Sequence, residues 1–330
     1  MLGFFYCWKS TNGSVESSEG SILFGGIDTT KYNGDLISIG VYPSARSGRV
    51  TSFTVAFTSL SATSSSGTDT LTPSNYATAA ILDSGTTITL LPDDIAEAVF
   101  QELGATVSAQ LDAAVVPCSL ADNDGTINYG FGGPGGPVIK VSVNELVLPL
   151  VLSNGRIPTY TDGSPACQLG IQAAGDLPVL FGDTFLRSAY TVYDLVNNRI
   201  ALAQTKFNVT ESNIVPFASQ GAPIPNVVTA PREAAVTQLA TGNPKIAGGQ
   251  TVTGTLEAPA QTFQATLTGL NAASGFAGNG NTGTGSSSGS KETKKSAGAE
   301  GPRPIQGGLI VVTTISVLGV AMGGWLFSLH

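Results

Sequence analysis

Through residue 217 the chain repeats one pattern: short apolar runs cut by Gly, Pro and Asn. Ala79-Ala80-Ile81-Leu82, Thr87-Ile88-Thr89-Leu90-Leu91 and Val179-Leu180-Phe181 are typical. Runs this short between turn residues predict buried strands rather than helices. One stretch has a different period. Pro92, Asp93 and Asp94 precede Ile95, Val99, Phe100 and Leu103, which fall on one side of a helix that Gly104 ends. Tyr190 and Tyr193 read as strand residues filling the interior. The expected class is all-β, mainly strands with a few short helices, over residues 20–217.

Beyond residue 217 the pattern stops. Residues 218–306 are dominated by Ala, Thr, Ser, Gly and Pro, with too few large apolar side chains to offset the entropy of ordering them. They predict a disordered stalk open to O-glycosylation. Residues 307–330 then form an apolar tail, uncharged from Gly307 to Leu329 and long enough to cross a bilayer. No Lys or Arg follows it, as a stop-transfer helix would require. Small residues at Ser296 and Gly298, then a spacer of about eight residues, match a GPI-attachment signal, with Gly289 or Ser290 as alternative sites. A retained single-pass helix is the other reading, and both put the mature chain at a membrane. Residues 1–19 are atypical. Met1–Trp8 has an apolar flavour but no basic stretch or cleavage site, which conflicts with a tail that requires secretion. Met1 is therefore expected to be an internal start within a longer precursor.

Charge and composition narrow the chemistry. A net charge of -8 gives no basic patch for nucleic acid. The single histidine is the terminal His330, which removes Ser-His-Asp triads, Cys-His dyads and His-ligated zinc. Gly132-Gly133-Pro134-Gly135-Gly136 lacks the lysine of a phosphate loop and reads as a turn. No cofactor or metal is expected. Carboxylate acid–base chemistry remains, and Asp83-Ser84-Gly85-Thr86 is its best site, an apolar strand running into a tight turn that holds up an aspartate. The plainer reading of Asp83 is a solvated turn residue. Asp94 is read as a helix-opening carboxylate, favoured by the helix dipole.

Several blocks, in order, resemble the second lobe of pepsin-like aspartic proteases. They are Ser21-Ile22-Leu23-Phe24-Gly25-Gly26-Ile27-Asp28, Ile81-Leu82-Asp83-Ser84-Gly85-Thr86-Thr87, and Leu180-Phe181-Gly182-Asp183-Thr184-Phe185-Leu186-Arg187 running into Tyr190–Asp194 and Asn197–Ala203. The likeness spans about residues 20–206 and implies a single lobe with polypeptide substrates. It gives Asp83 the part of the second catalytic aspartate and Ser84 a place in a hydroxyl network between lobes. Thr86 would bond the outer carboxylate oxygen, and Gly85 with Thr87 would contact substrate backbone. Leu180-Phe181-Gly182 would pass beneath the aspartate turn, and Asp183 would cap the short helix after it. Cys118 and Cys167 would form the lobe's disulfide, worth about 4 kcal/mol in the chain-entropy model. Cys7 is left over, ahead of the matching blocks.

No second Asp-Thr/Ser-Gly occurs, so the amino-terminal lobe is a missing partner and this chain is expected to be inactive alone. A catalytic homodimer is the minor alternative. Asn208-Val209-Thr210 and Asn12-Gly13-Ser14 are glycosylation sequons, the former better placed. The stalk and tail make the chain similar to GPI-anchored, yapsin-like fungal endopeptidases at the cell surface or wall. Two other readings stay open. One is a non-catalytic surface or wall protein reusing the lobe; the other is a tail-anchored intracellular fragment.

Overall fold

The computed structural model describes residues 3–9, 19–45, 47–109, 111–152, 154–236 and 271–276. Its first strands are β1 (Gly3–Lys9), β2 (Glu19–Ser21), β3 (Gly26–Asp28), β4 (Tyr32–Gly40), β5 (Thr54–Ser64), β6 (Gly67–Thr70), β7 (Thr78–Leu82) and β8 (Thr89–Leu91). Helix α1 (Asp93–Leu103) leads to β9 (Thr106–Ser108), β10 (Ala113–Pro117), a 3-10 turn at Cys118–Asp122, β11 (Thr126–Phe131) and β12 (Val138–Ser142). Then come α2 (Val143–Leu146), β13 (Val147–Leu148), β14 (Ala166–Leu169), β15 (Ile171–Ala173) and β16 (Val179–Phe181). The last elements are α3 (Asp183–Leu186), β17 (Ala189–Asp194), β18 (Arg199–Thr205), β19 (Ile214–Pro216), β20 (Val227–Thr229) and α4 (Asn271–Phe276).

The all-β expectation holds, with four short helices among the described residues. One sheet runs β12-β11-β5-β7-β16-β8-β15, with β6 hairpinned onto β5. A second runs β2-β1-β17-β18-β4-β20, and β13-β14-β10-β9 form a third. Cys118 and Cys167 are disulfide-bonded, tying the end of β10 to β14. The core between the sheets is aromatic. Phe181 lies at its centre, with ring centroids 5.1 Å from Phe57, 5.1 Å from Phe131, 5.4 Å from Tyr129 and 4.8 Å from Phe185. Tilted and edge-on rings at these distances gain quadrupole contact beyond simple burial.

Helix α1 forms where the period changes. Asp93 and Asp94 lie in its first turn, and Gly104 takes the left-handed conformation at φ 63° that ends it. Ile95, Val99, Phe100 and Leu103 are buried as the spacing predicts, and Ala96 and Glu102 are buried with them.

The lobe extends beyond residues 20–217 at both ends. β1, in the segment set apart as atypical, pairs antiparallel with β17, with Phe5 opposite Val192. Cys7 is a residue of that strand, opposite Ser21 of β2. Downstream, residues 218–236 are not stalk. β20 pairs in parallel with β4, Ile224 and Ala230 are buried, and Glu233 pairs with Arg199 and accepts the Gly40 amide. A six-residue helix, α4, also packs on the lobe from within the stretch expected to be disordered. The rest of that stretch, the apolar tail of 307–330, Ser296, Gly298, Gly289, Ser290 and the Asn12 sequon lie outside the described residues. Among the described residues no helix is long and apolar enough to cross a membrane.

Candidate active site

Asp83 follows directly on β7. That strand lies between β5 and β16, and its parallel pairing with β16 sets Leu82 opposite Phe181. The Asp83 amide donates to the Phe181 carbonyl at 3.0 Å, so the turn starts from the strand that carries the central aromatic ring. From there the chain folds back on itself, with the Thr86 amide reaching the Asp83 carbonyl at 3.3 Å. A rigid core thus fixes the aspartate backbone while its side chain stays partly exposed.

Two donors from the same turn hold the carboxylate. The Gly85 amide donates to Oδ1 at 3.0 Å, and the Thr86 hydroxyl to Oδ2 at 2.7 Å. Thr86 is buried, whereas Ser84, Gly85 and Thr87 are exposed around the aspartate. The arrangement leaves an oriented carboxylate facing out of the lobe, with acceptor capacity still available. Such a group can take a proton from a bound water if a second group holds that water from the other side.

A second layer clamps the turn from below. The Asp183 amide donates to the Thr86 carbonyl at 2.8 Å, and the Thr184 amide to the Thr87 carbonyl at 3.0 Å. The buried Thr184 hydroxyl donates to the Gly170 carbonyl at 2.8 Å and lies 3.1 Å from the Thr89 hydroxyl. Helix α3 therefore joins the aspartate turn to β8 and β15 through buried polar groups. A charged helix face could not enter here; two threonines can, because each hydroxyl finds an acceptor.

Asp183 corrects the capping expectation. Gly182, not Asp183, is the residue at the cap position, so α3 has no side-chain cap. The Asp183 Oδ1 is buried without a hydrogen-bond partner. Burial pushes this carboxyl up to about 6; Arg187 pulls it down and the neighbouring Asp83 pushes it up again. Sequence reasoning set Asp183 aside as a structural cap. The signal it lacked was a three-dimensional one, the closeness of two carboxylates 100 residues apart.

Other site residues stand as follows. Asp94 is exposed in the first turn of α1, where its neighbour Asp93 accepts the Gly175 amide at 2.8 Å. Asn208 is exposed just past β18, in the left-handed conformation at φ 58° that Asn tolerates. Among the described residues no cluster of His, Cys, Asp and Glu could hold a metal ion.

The family model described as "Eukaryotic aspartyl protease" matches residues 6–205, so Cys7 and the second half of β1 fall inside the match rather than ahead of it. "Probable aspartic-type endopeptidase OPSB" of Arthroderma benhamiae is 40% identical over 240 residues, 71% of this chain and 47% of that protein. "Probable aspartic-type endopeptidase opsB" of Aspergillus fumigatus is 37% identical over 201 residues, 61% of this chain and 39% of that protein. "Secreted aspartic protease 9" of Candida albicans is 34% identical over 202 residues, 60% of this chain and 34% of that protein. A solved aspartic proteinase from Irpex lacteus aligns at a TM-score of 0.45 and 23% identity, covering 64% of this chain and 58% of its own. The chain spans less than half the length of each of these three relatives. With the family match running from within β1 to the end of β18 and the Asp83 turn inside it, the chain belongs to the eukaryotic aspartyl proteases.

Proposed function

We propose that this chain carries one half of the active site of an aspartic endopeptidase, with Asp83 as one of two aspartates that activate a water. The observation behind this reading is the Asp83 carboxylate, partly exposed and held on both oxygens by Gly85 and Thr86. In the complete enzyme a second carboxylate, from an amino-terminal lobe, would face Asp83 across the water. Two carboxylates that close cannot both ionise, so one accepts the proton of the attacking water while the other, still protonated, supports the tetrahedral oxygen. Substrates are polypeptides, whose backbone would run past Gly85 and Thr87. Ser84, exposed at the tip, would face the other lobe.

Secretion, N-glycosylation at Asn208 and Asn12, and GPI attachment near Ser296 or Gly298 complete the proposal. The secreted Candida albicans relative supports an extracellular place, and the uncharged 307–329 stretch supports an anchor. Asparagine at position 83 in the full-length protein tests the catalytic part: loss of peptide cleavage at unchanged folding supports it, and retained cleavage refutes it. Release of the protein from cells by a phosphatidylinositol-specific phospholipase tests the anchor, and protein that stays cell-bound after treatment argues for a retained helix.

A further inference from the structure

Helix α4 seats in a groove made by β5, β6 and α1, far along the chain from any of them. The groove fits the Ala-Ala-Ser-Gly-Phe sequence closely. Ala272, Ala273 and Phe276 are buried. The Phe276 ring lies against Gly125, where any side chain would overlap it, and Gly275 lies equally close to Ser64. Three polar contacts fix the backbone: Ala272 N–H to Asp69 Oδ2 at 2.7 Å, Ser64 hydroxyl to the Ala272 carbonyl at 2.7 Å, and Asn123 side-chain amide to the Gly275 carbonyl at 2.7 Å.

Against this seat, α1 presents a group that no part of the proposed chemistry uses. Glu102 is 1% exposed, and both its carboxyl oxygens are buried without a hydrogen-bond partner. The charged group it feels is Asp69, itself buried and bonded to the α4 backbone. Among the described residues no cation is paired with either carboxylate. β5, β8, β15 and α4 carry no titratable side chain, and Glu97, the other acid along that part of α1, points to solvent. Two neighbouring buried carboxylates, one held by a backbone N–H and the other by none, are tolerable only while one stays neutral.

We infer that residues 271–276 are an acid-closed latch, which docks on α1 while the Glu102 carboxyl keeps its proton and lets go when Glu102 and Asp69 are charged together. Burial first, and Asp69 second, push Glu102 from 4.5 up to about 7. A group that holds its proton more tightly when docked favours docking fully below 4.5, and that advantage is lost as the pH rises toward 7.

Hydrogen exchange of the full chain tests this, read on the 271–276 segment and corrected for the intrinsic pH dependence of amide exchange. Protection of the segment should fall about tenfold per pH unit between about 4.5 and 7. Glu102→Gln should keep it protected across that range. Phe276→Ala should abolish its protection at every pH while the strands of the lobe stay protected. Should Glu102→Gln fail to fold, Asp69→Asn serves: with one raising charge gone, the fall should be smaller in total and end at a lower pH. Protection that is constant over the range, absent throughout, or equally pH-dependent in the folded variant overturns the latch.

Discussion

Gly182 passes so close under the Asp83 turn that a Cβ on it would overlap the carbonyl oxygen of Thr86. Its φ of -87° is open to any residue, so the restriction is contact, not conformation. The parallel register of β7 and β16 creates the contact by carrying the chain after Phe181 directly beneath the chain after Leu82. Glycine lets the two backbones touch, and the touching fixes the aspartate.

Gly182→Ala should therefore act on both stability and activity. The obstacle is backbone on both sides, Thr86 and Ile88, so it cannot turn aside as a side chain would. A loss of about 1–3 kcal/mol or more is expected from overpacking, measured as a lower denaturant midpoint. Cleavage by the full-length protein should fall further than the lost folded fraction explains, because the Asp83 turn moves with the strain.

Thr86 offers a finer probe. Its hydroxyl holds Asp83 Oδ2, and the residue is buried. Thr86→Ser keeps the donor and should retain most activity, whereas Thr86→Val keeps the shape and loses the bond. A hydrogen bond to a charged group is worth about 1.5–3 kcal/mol, so kcat/KM should fall roughly 10- to 100-fold in the valine variant. Equal activity in the two variants would remove Thr86 from the site.

How far the sequence foretold this arrangement depends on range. The Asp83 turn, α1 and the Gly104 stop were legible because each is written in a few adjacent residues. The lobe's outer limits were not. β1 looks like an isolated apolar scrap until β17 supplies its partner, and Ile224, Ala230 and Glu233 gain meaning only beside β4 and Arg199. Glu102 is the instructive miss. It falls seven residues after Ile95 and beside Leu103, on the buried side of α1, yet the apolar spacing that marks that side passes over a charged residue. Asp183 was misjudged for the opposite reason: a local rule made it a cap, while burial and the nearby Asp83 decide its state.

The disulfide should matter to stability more than to chemistry. Cys118 and Cys167 are 49 residues apart and join the end of β10 to β14, in a different sheet from the β7 and β16 strands that carry the Asp83 turn. Cys118→Ser should cost about 2–5 kcal/mol and lower secretion. Thermal unfolding at an unchanged temperature would contradict the expected contribution.

Asp183 gives the lobe a pH dependence of definite sign. Its carboxyl binds a proton more tightly folded, at about 6, than at its ordinary value of 3.8. Stability from this group is thus full below 3.8 and declines as the pH rises through about 6. Asp183→Asn, with no proton to lose, should flatten that part of the profile. Urea midpoints measured across the interval for both proteins check this, and parallel profiles would rule it out.

The most direct test of the central claim is peptide cleavage by full-length Asp83→Asn, run beside its thermal unfolding. The substitution keeps the size of the side chain and an acceptor for the turn, so unfolding should shift by no more than about 1 kcal/mol. Cleavage should drop by roughly 100- to 10,000-fold, the range lost with a positioned acid–base group. A folded Asp83→Asn protein that cleaves at the wild-type rate would show that Asp83 is a turn residue and that the catalytic assignment is wrong.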